Sequence, residues 1–314
     1  MRCPLSDRRG RLVGEAHLSR SAFINRVGGI VATVIGQSGA WHSIVAGVGS
    51  HGYTISDPAD IEPLVAHIRE ERPAVLEAHR SETMRSVQQL SNEIVQLNDS
   101  RGRIVRFFNR HKVRGLRSRI AAAYSNDKAF ERHLDWVIDR IAALPNSPEL
   151  AGATAELDVV GRLELLPDSF FVFNDVRLKA NRKIRFDGNY LQSAQVDHLV
   201  LGPTGVFTIE TKCWSRATAE KGSHHDPFDQ ASRAGYLCYD LLKQKFGTTR
   251  VHSVIAHRGS LPPTPADTKV RTARPEDLRS LIAGWNGGRP ELSPERIQEL
   301  RSFFEYRVAT KATD

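Results

Sequence analysis

The chain has 314 residues, enough for two domains of ordinary size. Hydrophobic residues make up 40% and charged residues 25%, the balance of a soluble globular protein rather than a disordered or fibrous one. Lys and Arg total 44 against 36 Asp and Glu, a formal net charge of +8 that suits a polyanionic partner without requiring one. Three cysteines, Cys3, Cys213 and Cys238, are too few and too scattered for a disulfide framework or a structural zinc site, so a reducing, cytoplasmic setting is expected. The best apolar stretch, Val27 to Ile35, is far shorter than the roughly 20 residues of a membrane-spanning helix. It also lies too far into the chain for a secretory signal, so no membrane partner is expected.

Composition divides the chain into residues 1–57, 58–148, 149–285 and 286–314. The first region is rich in Gly, Ser and His without a sustained period, and reads as short strands and turns. It contains Gly47-Val-Gly-Ser-His-Gly52, which matches G-x-G-x-x-G. A dinucleotide site needs a helix opening inside that motif, and the Tyr53 to Pro58 stretch that follows is extended or turn-like. Gly36-Gln37-Ser38-Gly39 lacks the spacing of a nucleophile elbow.

Asp57 followed by Pro58 signals a helix start. Val87, Leu90, Ile94 and Leu97 then recur at three- and four-residue steps, an amphipathic stripe suited to a short coiled coil and to homo-oligomer formation. After a break at 98–102 comes a basic run: Arg101, Arg103, Arg106, Arg110, Lys112, Arg114, Arg117 and Arg119, with no acidic residue among them. It suits phosphate tracking, and equally a solvated helix face. A further helix carries Phe130, Leu134, Val137, Ile138 and Ile141 and ends near Pro145.

From Ala151 the pattern becomes α/β with a mixed sheet. A helix spans Glu156–Leu166 and a strand Phe170–Lys179, followed by a polar loop through Arg185. Strands follow at Gln195–Leu201 and Val206–Cys213, then a helix from Pro227 and a strand at Val251–Ala256. Another short strand begins near Val270. Helices near Glu276–Ile282 and Ser293–Phe304 close the chain. His224 and His225, a lone pair in a polar loop, read as surface residues.

The chemistry concentrates in Gln195-Val-Asp-His-Leu-Val-Leu-Gly-Pro-Thr-Gly-Val-Phe-Thr-Ile-Glu-Thr-Lys212. With Gly202–Gly205 as the turn, Leu201 pairs with Val206, Leu199 with Thr208, Asp197 with Glu210 and Gln195 with Lys212. Alternation then puts Asp197, Glu210 and Lys212 on one face, and Val196, Val200, Phe207 and Ile209 on the other. Carboxylates directly across a strand pair repel. A hard divalent cation such as Mg²⁺ relieves that repulsion and takes oxygen ligands, the Thr211 carbonyl being a further candidate. The same residues also suit an exposed hairpin end with a surface Asp–Lys pair. Glu156 shares a helical stripe with Val160 and Leu163. Gln230 shares one with Ala234, Leu237 and Leu241. Both should therefore aim inward, where polar groups need partners.

The runs Gln195-Val-Asp-His198, Gly202-Pro-Thr-Gly-Val-Phe207 and Ile209-Glu-Thr-Lys212 resemble the nuclease-related domain of the PD-(D/E)XK nuclease superfamily. Gly152-Ala-Thr-Ala-Glu156 resembles that family's Gly-rich helix entry, with Ala155 where glycine is usual. Asp226-Pro-Phe-Asp-Gln230 resembles its Asn-Pro-x-x-Gln motif, with Asp226 where Asn is common. The Cys213–Arg216 stretch departs from the family pattern. The resemblance implies a restriction-endonuclease-like mixed sheet flanked by helices, preceded here by an α-helical region. It also implies hydrolysis of phosphodiester bonds with Mg²⁺ or Mn²⁺; the expected substrate is DNA, with RNA left open. Asp197 and Glu210 would be metal ligands, and Glu156 an outer or second-metal ligand. Lys212 would orient water and stabilise phosphate charge, and Gln230 would position the metal shell or substrate. Arg103, Arg106, Arg110, Lys112, Arg114 and Arg117 would contact the phosphate backbone. A non-catalytic nucleic-acid-binding or scaffolding module on the same fold is the alternative.

Overall fold

The computed structural model of the protein describes residues 31–99, 103–221 and 226–309, with the backbone alone at 103–108 and 309. Arg101, His224 and His225 lie outside the described residues. The chain forms two compact units: Val48–Ser147, and the residues up to Gly47 together with those from Pro148 onward. Among the described residues, no helix is long and apolar enough to cross a membrane.

The chain begins with a short strand β1 (Thr33–Ile35) and a helix α1 (Gly39–Gly49). A helix here corrects the expectation of strands and turns. Trp41, Ile44 and Val48 are buried at helical spacing, a period that the surrounding glycines obscure in the sequence. Gly47 and Gly49 close α1, so the glycine-rich motif ends a helix instead of opening one.

In the unit of residues 48–147, Asp57 forms a capping box with Asp60 around a 3₁₀ turn at Pro58–Asp60. Two long helices follow, α2 (Ile61–Asn98) and α3 (Arg103–Ala143). Arg72 pairs with Asp135 at 2.6 Å, His79 with Asp127 at 2.9 Å and Arg80 with Glu131 at 3.2 Å, so the helices run antiparallel. The His79 ring stacks on Phe130 at 4.0 Å. Val87 and Leu90 are buried, while Ile94 and Leu97 are half-buried. One helix carries both the basic run and the Leu134–Ile141 stripe, where the sequence reading expected two elements. Gly115, inside the basic run, is its weak helix former, and one glycine costs only about 1 kcal/mol.

The other unit holds α4 (Pro148–Leu163), β2 (Phe171–Phe186), β3 (Asn189–Gly202), β4 (Gly205–Trp214), α5 (Arg216–Glu220), α6 (Pro227–Phe246), β5 (Val251–Gly259), β6 (Arg271–Ala273), α7 (Leu278–Ala283) and α8 (Pro294–Ala309). The six strands lie in the order β1-β2-β3-β4-β5-β6. The β2–β3 and β3–β4 pairs are antiparallel, and the rest are parallel. Apolar residues of α6 and α8 pack on one face with Phe173, Leu199, Leu201 and Val206. Those of α4 and α7 pack on the other with Val172, Val200, Phe207, Ile209 and Val254. This is a mixed α/β architecture in which helices cover both sides of the sheet.

Two departures from the expected pattern shape the site. The stretch expected as a polar loop through Arg185 is strand: β2 continues to Phe186 and turns at Asp187 and Gly188, both at positive φ. Asn181-Arg182-Lys183 breaks the alternation where the β2–β3 register shifts, which disguised the stretch as a loop. Ile184 anchors it in the core, and Leu191, its cross-strand partner, is buried. The second departure concerns Val196, which packs with Leu199 and Leu201 instead of with Val200 and Phe207. Val176 likewise joins Phe173 on that same face. Both strands change the phase of their alternation across Asp175 and Asp197, and Asp175 there has φ 55°.

Gly202 tests the core between α4 and the sheet. A Cβ there would stand 2.1 Å from the Phe170 ring. Gly202→Ala is expected to destabilise the protein by about 1–3 kcal/mol, the usual cost of overpacking, as measured by a lowered urea midpoint with unchanged m-value.

Candidate functional site

Four elements converge on one end of the β3–β4 hairpin. The ladder follows the expected register through Leu201–Val206, Leu199–Thr208 and His198–Ile209, and the pairing goes no further. The expected Asp197–Glu210 and Gln195–Lys212 pairs are therefore not rungs of this ladder. Instead β4 stays paired with β5 as far as Trp214, and Gln195 pairs with Arg177 of β2. Where β3 and β4 part, the Asp197 carboxylate bridges them: its Oδ2 accepts the Thr211 N–H at 2.8 Å.

Glu210 is the most buried acid of the group, 4% exposed. Its Oε1 accepts from Lys212 Nζ at 2.5 Å and from Gln230 Nε2 at 2.6 Å. Lys212 also donates to Gln230 Oε1 at 3.0 Å, closing a triangle that fixes which way the amide faces. Gln230 comes from the first turn of α6, which Asp226 caps by accepting the Phe228 N–H at 2.8 Å, with Pro227 at the first helical position. The sequence reading expected Gln230 to aim inward. Its residue is exposed, and only its amide reaches the buried acid.

Glu156 borders the buried line of α4, which runs through Ala155, Val159 and Leu163, one position round from the expected stripe. Its Oε2 accepts from Ser38 Oγ at 2.6 Å and from the Ala40 N–H at 3.3 Å. Ser38 Oγ in turn accepts from the Trp41 N–H, so a hydroxyl and the amino end of α1 hold this carboxylate. Ser38 and Ala40 escaped the sequence reading because they lie 118 and 116 residues from Glu156 and belong to no recognisable spacing.

The three acids share a field. The Asp197 carboxyl is pushed well above the usual carboxylate range, first by burial and then by the charges of Glu210 and Glu156. Burial also raises Glu210, an effect the neighbouring Lys212 opposes and Glu156 reinforces. One lysine does not neutralise three carboxylates, and the site has a standing demand for positive charge.

A buried polar chain supports this end of the hairpin. His198 Nδ1 lies 2.8 Å from Asn174 Oδ1, and its Nε2 lies 3.2 Å from Thr211 Oγ1. Burial drives the imidazole pKa down to about 3. The neutral ring therefore donates from Nδ1 to the Asn174 carbonyl oxygen and accepts the Thr211 hydroxyl at Nε2. Asn174 Nδ2 donates to the Gly36 carbonyl at 3.3 Å. The signal for this chain was a histidine on an apolar strand face directly after Asp197.

Among the described residues, the hydrogen bonds to Glu210 and Asp197 land on Oε1 and Oδ2, which leaves Glu210 Oε2 and Asp197 Oδ1 for a cation. All these donors are oxygens, the set a hard cation prefers. Among the described residues, no group of three or more His, Cys, Asp and Glu is arranged to hold a metal ion. A bound Mg²⁺ would therefore rely on few protein ligands and keep several waters, its normal habit. On α3, in the other unit, Arg110, Lys112, Arg114 and Arg117 are exposed, whereas the side chains of Arg103 and Arg106 fall outside those described.

The raised Asp197 pKa carries a sign. A folded-state pKa above the unfolded value means ionisation opposes folding: stability is fully present below the unfolded pKa and falls as pH rises through the folded one. In a chelating buffer, Asp197→Asn should raise Tm at pH 7 and have less effect at pH 4, as followed by thermal melts.

Comparison of the chain with curated proteins and with solved structures gives no match. Residues 151–257, a span that contains Glu156, Asp197, Glu210, Lys212 and Gln230, match the family model of the nuclease-related domain.

Proposed function

We propose that the protein is a metal-dependent nuclease that hydrolyses phosphodiester bonds in DNA. The observation that carries this reading is the buried Glu210 tied to Lys212 and Gln230 beside an Asp197 whose charge is disfavoured. Asp197 and Glu210 would hold Mg²⁺ or Mn²⁺, with Glu156 acting from further out through the water shell. The ion would supply Lewis-acid stabilisation of phosphate charge and a more acidic bound water.

The chain's own residues do the rest. Lys212 Nζ, beside Glu210 and Gln230, would orient the attacking water and donate to a phosphate oxygen as negative charge develops. Gln230 keeps hold of Glu210 Oε1 and so fixes the orientation of that carboxylate. Ser38 and the start of α1 fix the Glu156 carboxylate, whose charge reaches the other two acids. The α3 residues Arg103, Arg106, Arg110, Lys112, Arg114 and Arg117 are proposed to contact phosphates without sequence preference.

The test is cleavage of plasmid and linear duplex DNA with Mg²⁺ or Mn²⁺. The wild type should cleave, and Asp197→Ala should lose at least about a hundredfold, because a metal supplies several kcal/mol of charge stabilisation and about 1.4 kcal/mol is tenfold in rate. Equal rates for both proteins would end the metal-site assignment. The alternative, a non-catalytic nucleic-acid-binding or scaffolding module, is favoured by the lack of a three-ligand group among the described residues. It predicts salt-sensitive DNA binding, no cleavage, and indifference to Lys212→Ala.

A further inference from the structure

The exposed face of the β2–β3 hairpin carries a set of cations, with neutral Asn181 among them and Asp187 at the turn. Val176, Leu178 and Ile184 turn into the core, so Arg177, Lys179 and Arg185 turn outward, and Lys183 is exposed beside them. Their cross-strand neighbours are neutral: Arg177 faces Gln195, Lys179 faces Ser193 and Arg185 faces Tyr190. Tyr190 is 70% exposed. Among the described residues, Arg177, Lys179, Lys183 and Arg185 have no salt-bridge partner, in contrast to Arg182, which reaches Asp240 at 3.4 Å.

This surface begins at the candidate site. Gln195 donates to Asp175 Oδ1 at 2.6 Å, and Asp175 precedes Val176 at the point where both strands change phase beside Asp197. From Asp197 to Tyr190 is seven residues, about 24 Å at ~3.4 Å per residue, the length of about seven nucleotides of duplex. Cations two residues apart on one strand face stand about 6.8 Å apart. The ribbon is stiff, since Leu178, Ala180, Ile184 and Val196 are locked in the core, Leu191 is buried and Phe186 packs on Tyr236. A two-stranded ribbon also fits the width of a DNA major groove.

We infer that this hairpin face binds duplex DNA, with Arg177, Lys179, Lys183 and Arg185 contacting phosphates and Tyr190 contacting sugar or base at the far end. The inference rests on the reading of the chain as a protein that acts on DNA. It places the duplex on the same unit as the carboxylates, running outward from them.

The test uses the full chain in EDTA, so that binding is read without cleavage. Anisotropy of a labelled DNA duplex is followed against salt for the wild type, for Arg177→Ser/Lys179→Ser/Arg185→Ser, and for the charge-matched Lys269→Ser/Arg279→Ser/Arg289→Ser. Each lost phosphate contact lowers the slope of log K against log salt by about 0.9, so the hairpin variant should lose about 2.7 from its slope. The charge-matched variant should keep the wild-type slope, and Arg177→Lys/Arg185→Lys should restore most of the affinity. Equal slopes for the two serine variants would overturn the inference, as would a wild type that does not bind duplex. Metal-dependent cleavage with an unchanged slope would overturn the hairpin surface alone. A slope loss in a protein that never cleaves would support the surface and overturn the nuclease reading.

Discussion

The site depends on how the charge of one buried acid is balanced. Glu210 sits in a central strand, nearly sealed from water, and an ionised carboxylate in such a place is costly without donors close by. Lys212 and Gln230 provide them, from the same strand and from the capped first turn of α6. Because Lys212 also bonds the Gln230 carbonyl oxygen, the three groups hold one another in a single arrangement. A cation arriving at this place would meet a carboxylate already oriented and a lysine already within reach.

The separation of β3 from β4 makes room for that arrangement. Had the ladder continued beyond His198–Ile209, Asp197 and Glu210 would have been simple cross-strand neighbours on a flat surface. Instead Asp197 spends one oxygen on the Thr211 N–H, while His198 takes the Thr211 hydroxyl and links it to Asn174 on the next strand. The phase change at Asp175 and Asp197 belongs to the same irregularity. It turns the outer part of the hairpin over, so that its apolar side meets α6 and α8 and its basic side faces water.

Charge is divided between regions in a way that the net figure hides. The carboxylates sit where the sheet opens, and cations line the hairpin beyond them and, separately, the exposed side of α3. An acidic pocket repels a phosphate backbone until a cation arrives, whereas basic surfaces hold the backbone at any time. Binding and chemistry would then have different ionic requirements within one chain.

Local chemistry made much of this legible from the sequence. Gly202–Gly205 set the turn and thereby the register of its near rungs, Asp57-Pro58 and Asp226-Pro227 announced helix starts, and alternation marked the strands of the sheet. These are short-range effects, decided by steric limits and hydrogen bonds within a few residues. The grouping of Asp197, Glu210 and Lys212 was expected by carrying that count past Ile209, where the ladder stops, so the counting does not account for it. What only the tertiary structure decided was everything set by distant partners. That Ser38 and the start of α1 hold Glu156, that Thr211 gives its N–H to Asp197, and that the 180–186 stretch is strand and not loop all depend on packing between segments far apart in the chain. A pattern of residue types carries no record of such contacts, because the energy that selects them exists only once the sheet and its helices are assembled.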